Sequence, residues 1–173
     1  TWHQIVGVFD GSDIKIYLNG TLKNTKSTDQ AGDSFSGSIQ SINDTLHFGK
    51  QFNGNYYSGL IDEIAVWNSA LSANAVAAIY NSGSGLDASS NSGDYTSSSN
   101  LKGYWRFNEG TGTSVADLSG NNNTAVISGA TWSTDSPPVA NREHILEITG
   151  IWPNETDLVI EADDGRIDGK VSL

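Results

Sequence analysis

Two adjacent carboxylates, Asp62 and Glu63, interrupt an apolar run and are the first candidates for acid–base chemistry. Hydrolysis of a glycoside takes two carboxyl groups that flank the scissile bond, about 5 to 5.5 Å apart in retaining enzymes. Neighbouring residues of a β-strand point to opposite faces of the sheet, so these two side chains are not expected to meet across one substrate. The sequence therefore predicts no catalytic residues.

Asp62 shares one face of the predicted strand with Leu60, Ile64 and Val66. A carboxylate turned toward an apolar face is unfavourable by several kcal/mol unless hydrogen bonds or an opposite charge satisfy it. Backbone amides or a hydroxyl near the corner of the sheet are one interpretation of its partner. A calcium ion is the other, because Ca²⁺ prefers carboxylate and carbonyl oxygens.

A second series rich in oxygen ligands alternates around Gly120 and consists of Asp117, Ser119, Asn121 and Asn123. Its spacing is not that of an EF-hand loop, and it lacks the bidentate glutamate of that loop. A network of Asx turns is the alternative to a metal site here. The predicted metal ligands are Asp62, Asp117 and Asn121, and the predicted cofactor is calcium.

Tyrosines beside asparagines in a turn form the best candidate for sugar binding. Aromatic rings stack on the apolar faces of pyranoses, while amides bind their hydroxyl groups. Tyr17 and Tyr104, expected on outward faces of their strands, are weaker candidates, and ordinary packing at a sheet edge is the alternative. The predicted ligand-binding residues are Asn53, Asn55, Tyr56 and Tyr57.

Charge and composition exclude several classes of function. The chain has 20 acidic and 9 basic residues and a formal net charge of -11, so it would repel a phosphate backbone, and nucleic acid is not an expected partner. It has no cysteine, which excludes disulfides and thiolate metal sites. No apolar run approaches the roughly 20 residues that a helix needs to span a bilayer, so membrane insertion is not expected.

The elements that must position these residues are mostly strands. Gly, Ser, Thr and Asn separate short apolar runs, a composition that favours an all-β fold with tight turns. The dipeptide Asn19-Gly20 predicts a two-residue hairpin loop. Such a loop pairs Leu18 with Thr21 and Tyr17 with Leu22.

A single helix is predicted near 72–80, directly after the strand that carries the two carboxylates. Ser72 is a good N-cap, and Leu71 and Val76 occupy the two positions of a hydrophobic staple. Gly83 is a predicted stop for this helix.

Three motifs in one order connect these elements to a known family. The segments 2–11 (WHQIVGVFDG), 15–20 (KIYLNG) and 59–68 (GLIDEIAVWN), the last followed by 70–72 (ALS), resemble the laminin-G-like family of concanavalin A-like jelly rolls. The resemblance covers residues 1 to about 82 and matches the second half of such a domain. It implies two antiparallel sheets packed face to face in a jelly-roll sandwich, with one short helix.

A second match resembles the first strands of the same family, which normally precede the motifs above. It comprises the segments 103–110 (GYWRFNEG), 117–121 (DLSGN) and 128–132 (SGATW). These residues either close the sandwich of residues 1–82 or open a further repeat, and Pro137-Pro138 directly after them favours closure. The predicted organisation is a C-terminal portion of a sandwich at 1–85, a Ser/Gly/Asn-rich loop or linker at 86–100, strands at 101–136, and a β-rich tail at 137–173 that begins a following module.

The resemblance implies a non-catalytic binding or adhesion module of a larger surface protein, with carbohydrate as its ligand. The expected partners are a glycan or another cell-surface ligand and neighbouring domains of the same polypeptide. The expected location is secreted or on the cell surface, in a bacterium. A structural spacer of a surface fibre or of a secreted multidomain protein is the alternative.

A glucanase-like enzyme is a third and weaker alternative. Glucanase relatives place Glu-x-Asp-x-x-Glu on one strand, and the segment 161–166 (EADDGR) carries Arg166 where the second glutamate belongs.

Overall fold

The computed structural model describes residues 1–29, 32–37, 39, 45–50, 54–135, 137 and 145–148, the last stretch by its backbone alone. The described chain is mostly β, with antiparallel sheets and one short helix, as predicted. Most of the predicted tail 137–173 lies outside the described residues. The strands are β1 Ile5–Phe9, β2 Ile14–Leu18, β3 Thr21–Lys26, β4 Gly59–Ile61, β5 Ile64–Trp67, β6 Leu101–Trp105, β7 Ser114–Val115, β8 Ala125–Val126, β9 Thr131–Ser133 and β10 Ile145–Ile148.

The chain divides into two compact units. Unit 1 takes Thr1–Ile42, Val66–Lys102 and Pro137–Ala140, and unit 2 takes Asn43–Ala65, Gly103–Ser136 and Asn141–Leu173. Unit 1 holds a sheet with the strand order β1-β2-β3, and unit 2 holds one with the order β4-β10-β9 and the pair β7-β8. A further two-stranded sheet pairs β5 with β6. Whether residues 101–132 close the sandwich of residues 1–82 or open a further repeat stays a prediction.

In unit 1 the hairpin of β2 and β3 has the predicted register. Leu18 pairs with Thr21 and Tyr17 with Leu22. The turn residues Asn19 and Gly20 both have positive φ, 51° and 73°, which is the geometry that a two-residue loop between twisted strands favours. The local sequence therefore predicts this hairpin correctly, and Gln4 adds contacts to the turn, since its carbonyl accepts from the Asn19 N–H and its side chain accepts from the Gly20 N–H.

The single helix α1 runs over Ala73–Tyr80. The Ser72 hydroxyl caps it by accepting a hydrogen bond from the Ala75 N–H at 3.1 Å, as its residue type predicts. The helix ends before the predicted stop at Gly83, because Asn81 adopts the left-handed conformation (φ 47°) and its N–H donates to the Ala77 carbonyl. Among the described residues no helix is long and apolar enough to cross a bilayer.

The polar segment after α1 is built around a buried tyrosine. Tyr95 is 0% exposed; its hydroxyl donates to the Ala88 carbonyl at 2.7 Å and accepts from the Trp67 indole N–H at 2.9 Å. Burial raises the pKa of the Tyr95 phenol; the bond from Trp67 opposes this rise, and the charge of Asp87 adds to it. A segment expected to be a linker or surface loop thus contributes a core residue to unit 1.

The predicted strand through Leu60 and Val66 is broken in two. Glu63 has a positive φ of 52°, so β4 ends at Ile61 and β5 begins at Ile64. The rule of strand alternation therefore does not apply to Asp62 and Glu63, which lie between the two strands. A left-handed backbone costs about 1–2 kcal/mol for a residue other than glycine, so contacts of this residue must offset that energy.

The core of unit 2 includes aromatic residues at the end of β6. Trp105 is 5% exposed and meets the Phe48 ring edge-on, with 4.8 Å between the ring centroids. Its ring covers Gly103, where an added Cβ would lie 2.1 Å from the Cη2 atom of Trp105. The glycine of this strand is therefore needed for space.

We expect Gly20→Ala to lower the free energy of unfolding by about 1–3 kcal/mol. A Cβ at Gly20 would lie 3.1 Å from two side-chain carbons of Tyr80 and 3.2 Å from the Ala77 Cα, and φ is positive. Gly32→Ala is the matched control, because Gly32 also has a positive φ but no atom lies within 4 Å of the position that its new methyl group would take. Urea unfolding of both variants measures the difference, and equal losses would show that the approach of the turn to α1 is unimportant.

Candidate functional site

The predicted sugar-binding cluster follows an irregular antiparallel pairing in unit 2. Lys50 and Tyr56 form an isolated antiparallel bridge, and the Tyr57 N–H donates to the Gly49 carbonyl at 3.0 Å. The side chains of Asn55, Tyr56 and Tyr57 are all half-buried. Asn53, the fourth predicted residue, lies outside the described residues.

The two tyrosines of this cluster differ in their surroundings. The ring of Tyr57 lies over Gly59, where an added Cβ would be 2.6 Å from the Cε1, Cζ and Oη atoms of that ring. Packing of this kind agrees with the alternative of edge packing for Tyr57. Tyr56 precedes Tyr57 and takes part in the isolated bridge with Lys50.

The two weaker sugar-binding candidates are buried. Tyr17 is 4% exposed and Tyr104 is 1% exposed, so the expectation that both lie on outward faces is wrong. Tyr17 is part of the buried core, and the Tyr104 hydroxyl donates to the Glu63 carboxylate. Neither ring face is available to a sugar from solvent.

A three-residue polar cluster that the sequence did not predict surrounds Glu63. Its Oε1 accepts a hydrogen bond from the Arg106 Nε at 2.9 Å, and its Oε2 accepts one from the Tyr104 hydroxyl. The side chains of Arg106 and Glu63 are only 19% and 21% exposed, so water screens this ion pair less than a surface pair. Hydrogen bonds to charged groups contribute about 1.5–3 kcal/mol each, enough to offset the left-handed backbone of Glu63.

A signal for this cluster exists in the sequence. Arg106 and Lys102 are the two cations of the predicted strand 101–107, and Glu63 is the second carboxylate of the apolar run. Opposite charges in two half-buried predicted strands suggest an ion pair. The sequence does not show which residues meet, because they are far apart along the chain. The strand pattern instead singled out Asp62, because it placed this carboxylate on the apolar face.

Asp62 makes a local contact with the backbone. Its Oδ1 accepts a hydrogen bond from the Glu63 N–H at 2.8 Å. This is the kind of contact that the backbone-amide interpretation requires. A calcium role for Asp62 stays a prediction.

The carboxylate of Asp117 organises the loop that follows it. Oδ1 accepts from the N–H groups of Tyr104 and Ser119, and Oδ2 accepts from the Asn123 N–H, each at 2.9 Å. Burial raises the pKa of this carboxyl, but hydrogen bonds from the Ser119 hydroxyl and the three backbone amides outweigh it, so the pKa lies below its ordinary value. The Trp105 indole N–H also reaches this loop and donates to the Asn123 carbonyl at 2.7 Å.

These contacts bear on the predicted calcium ligands. Three backbone donors already point at the Asp117 carboxylate and occupy most of its acceptor sites. Asn121 donates from its side-chain amide to the Ser119 hydroxyl at 2.9 Å. Among the described residues no group of three or more His, Cys, Asp or Glu side chains is placed to hold a metal. The donor set favours the turn network, and calcium binding stays a prediction.

Comparison with known proteins finds a family match over the first part of the chain. Residues 1–77 match the laminin-G-like family model described as the concanavalin A-like lectin/glucanases superfamily, as the sequence motifs predicted. Laminin G-like domains are often binding modules of multidomain proteins, are generally not enzymes and are typically extracellular. No curated protein and no solved structure matches the chain.

A double-mutant cycle with Tyr104→Phe and Glu63→Gln measures the hydrogen bond between these residues. We expect Tyr104→Phe alone to lower the free energy of unfolding by about 1.5–3 kcal/mol, because a partly buried carboxylate loses a donor. The two changes together should be less destabilising than the sum of the single changes, with a coupling of about 1 kcal/mol or more. Additive losses in chemical denaturation would show that the two side chains do not interact in solution.

Asp117→Asn should destabilise the protein in a pH-dependent way. The pKa of Asp117 is lower in the folded chain than its ordinary value of 3.8, so its contribution is complete above the unfolded pKa and is lost as the pH falls through the folded pKa. We expect a loss of about 1–3 kcal/mol at pH 7 that shrinks steadily below pH 4. Denaturation curves of both proteins between pH 7 and pH 3 measure this, and a gap independent of pH would contradict the role of the ionised carboxylate.

Proposed function

We propose that the chain is a non-catalytic binding module of a larger secreted or surface protein and that it recognises carbohydrate through Asn55, Tyr56 and Tyr57. The observation that carries the proposal is the pair of half-buried tyrosines beside an amide, inside the residues 1–77 that match a lectin/glucanase superfamily. Tyrosine rings stack on the apolar faces of sugars, and the amide of Asn55 suits their hydroxyl groups. The proposed architecture is a two-sheet jelly-roll sandwich.

The net charge of the chain narrows the class of sugars that we expect it to bind. The formal net charge of the chain is -11, and a surface of this sign repels sulfated glycans and polymers of uronic acids. Neutral sugars carry no such repulsion and offer the apolar faces that aromatic rings contact. We therefore propose neutral glycans as the ligands.

Catalysis is not part of this proposal. Both oxygens of the Glu63 carboxylate accept hydrogen bonds from Arg106 and Tyr104, and the Asp117 carboxylate accepts bonds from backbone amides. These carboxylates serve the fold, whereas glycoside hydrolysis needs one acid and one base or nucleophile that act on the substrate. The segment 161–166 lies outside the described residues.

A structural spacer is the second candidate. The burial of Tyr17 and Tyr104 favours it, since only one of the predicted aromatic sites is left for a ligand. A spacer of a surface fibre needs a stable fold and no ligand.

A glycan array followed by titration separates the two candidates. We expect binding to neutral oligosaccharides that Tyr56→Ala weakens at least about tenfold, which corresponds to about 1.4 kcal/mol. Tyr56→Phe keeps the ring and should retain most of the affinity, because stacking does not need the hydroxyl.

Val126→Ala is the control in this series, since Val126 is an exposed apolar residue of β8 outside the cluster. It should bind as the parent protein does. A folded chain that binds no glycan on the array would refute carbohydrate recognition and leave the spacer role.

A further inference from the structure

The ring of Tyr57 rests directly on the backbone of Gly59. A Cβ at position 59 would lie 2.6 Å from three atoms of the ring, whereas ordinary contacts of a Cβ begin at 3.4 Å. Any side chain at position 59 would therefore push the outer half of the ring away by at least about 0.8 Å. The positions are two residues apart, so both lie on one side of the extended chain.

We propose that Gly59 is a positioning residue that fixes the orientation of the Tyr57 ring as a platform for a neutral sugar. The inference rests on the proposed function and deepens it, because it names a residue that acts through another. A ring held against the main chain has few orientations to lose when a ligand binds, which lowers the entropic cost of stacking. Tyr57 is half-buried, so packing on Gly59 leaves part of its surface to solvent.

The core of unit 2 contains a second glycine that is covered by an aromatic ring. Trp105 covers Gly103 at the same spacing of two residues, but Trp105 is 5% exposed and packs on Phe48. Its ring is therefore a structural element, and Gly103 serves stability. Comparison of the two glycines separates a loss of ligand orientation from a loss of stability.

The experiment uses the full chain and the variants Gly59→Ala, Tyr57→Ala, Gly59→Ala with Tyr57→Ala, Gly103→Ala and Tyr56→Ala. The probes are maltohexaose, cellohexaose and laminarihexaose, titrated by calorimetry at a temperature where every variant is folded. The Hα chemical shifts of Gly59, measured by NMR without sugar, report the ring above it, because an aromatic ring shifts protons over its face upfield.

We expect Gly59→Ala to weaken binding at least fivefold while Gly103→Ala, though less stable, binds with the parent affinity. The double variant should bind no more weakly than Tyr57→Ala, since position 59 acts through the ring. The upfield shift of the Gly59 Hα should disappear in Tyr57→Ala.

Several results overturn the inference. Parent-like binding by Gly59→Ala, together with loss of binding by Tyr56→Ala, removes the role of Gly59 and leaves carbohydrate recognition intact. Further weakening in the double variant shows that position 59 does not act through Tyr57. If the parent chain binds none of the three sugars and no glycan on the array, the platform role falls with the proposed function, and the Hα shift alone decides whether Gly59 holds the ring.

Discussion

The contact of the Glu63 carboxylate with Arg106 and Tyr104 is the constraint on which unit 2 depends. It holds Glu63 in a left-handed backbone conformation, which ends β4 and starts β5. The same contact ties the turn to the residues that end β6, and the backbone of Tyr104 is in turn bound by Asp117. Two carboxylates thus fix one tyrosine, one through its hydroxyl and one through its amide.

Local rules explain what the sequence predicted well. Asn19 and Gly20 both adopt the positive φ of a two-residue hairpin loop, and the register is the one that such a loop predicts. The start of α1 follows from Ser72, whose hydroxyl reaches an amide three residues on. In both cases the residues that determine the geometry lie within a few positions of each other, so the interaction energies can be judged from the sequence.

Long-range pairing explains what the sequence did not predict. Alternation assigned Tyr104 to an outward face. The pattern contains no information on Glu63, a carboxylate more than forty positions earlier that accepts a hydrogen bond from the Tyr104 hydroxyl. The break between β4 and β5 at Glu63 was not predicted either, since a strand pattern assumes a regular backbone. The proposed sugar-binding cluster was predicted from residue types alone, whereas the packing of the Tyr57 ring over Gly59 depends on side-chain orientation.

The buried Tyr95 has a consequence for how this chain can be divided. Composition marks the stretch between α1 and β6 as a spacer that a protease would cut or an engineer would choose as a boundary. The phenol of Tyr95, however, links Trp67 of β5 to the carbonyl of Ala88. A fragment that ends before Tyr95 would leave the Trp67 indole N–H without its acceptor and a void in unit 1. The serine-rich stretch between α1 and β6 is therefore part of the fold. A fragment that is meant to fold should be cut at another position.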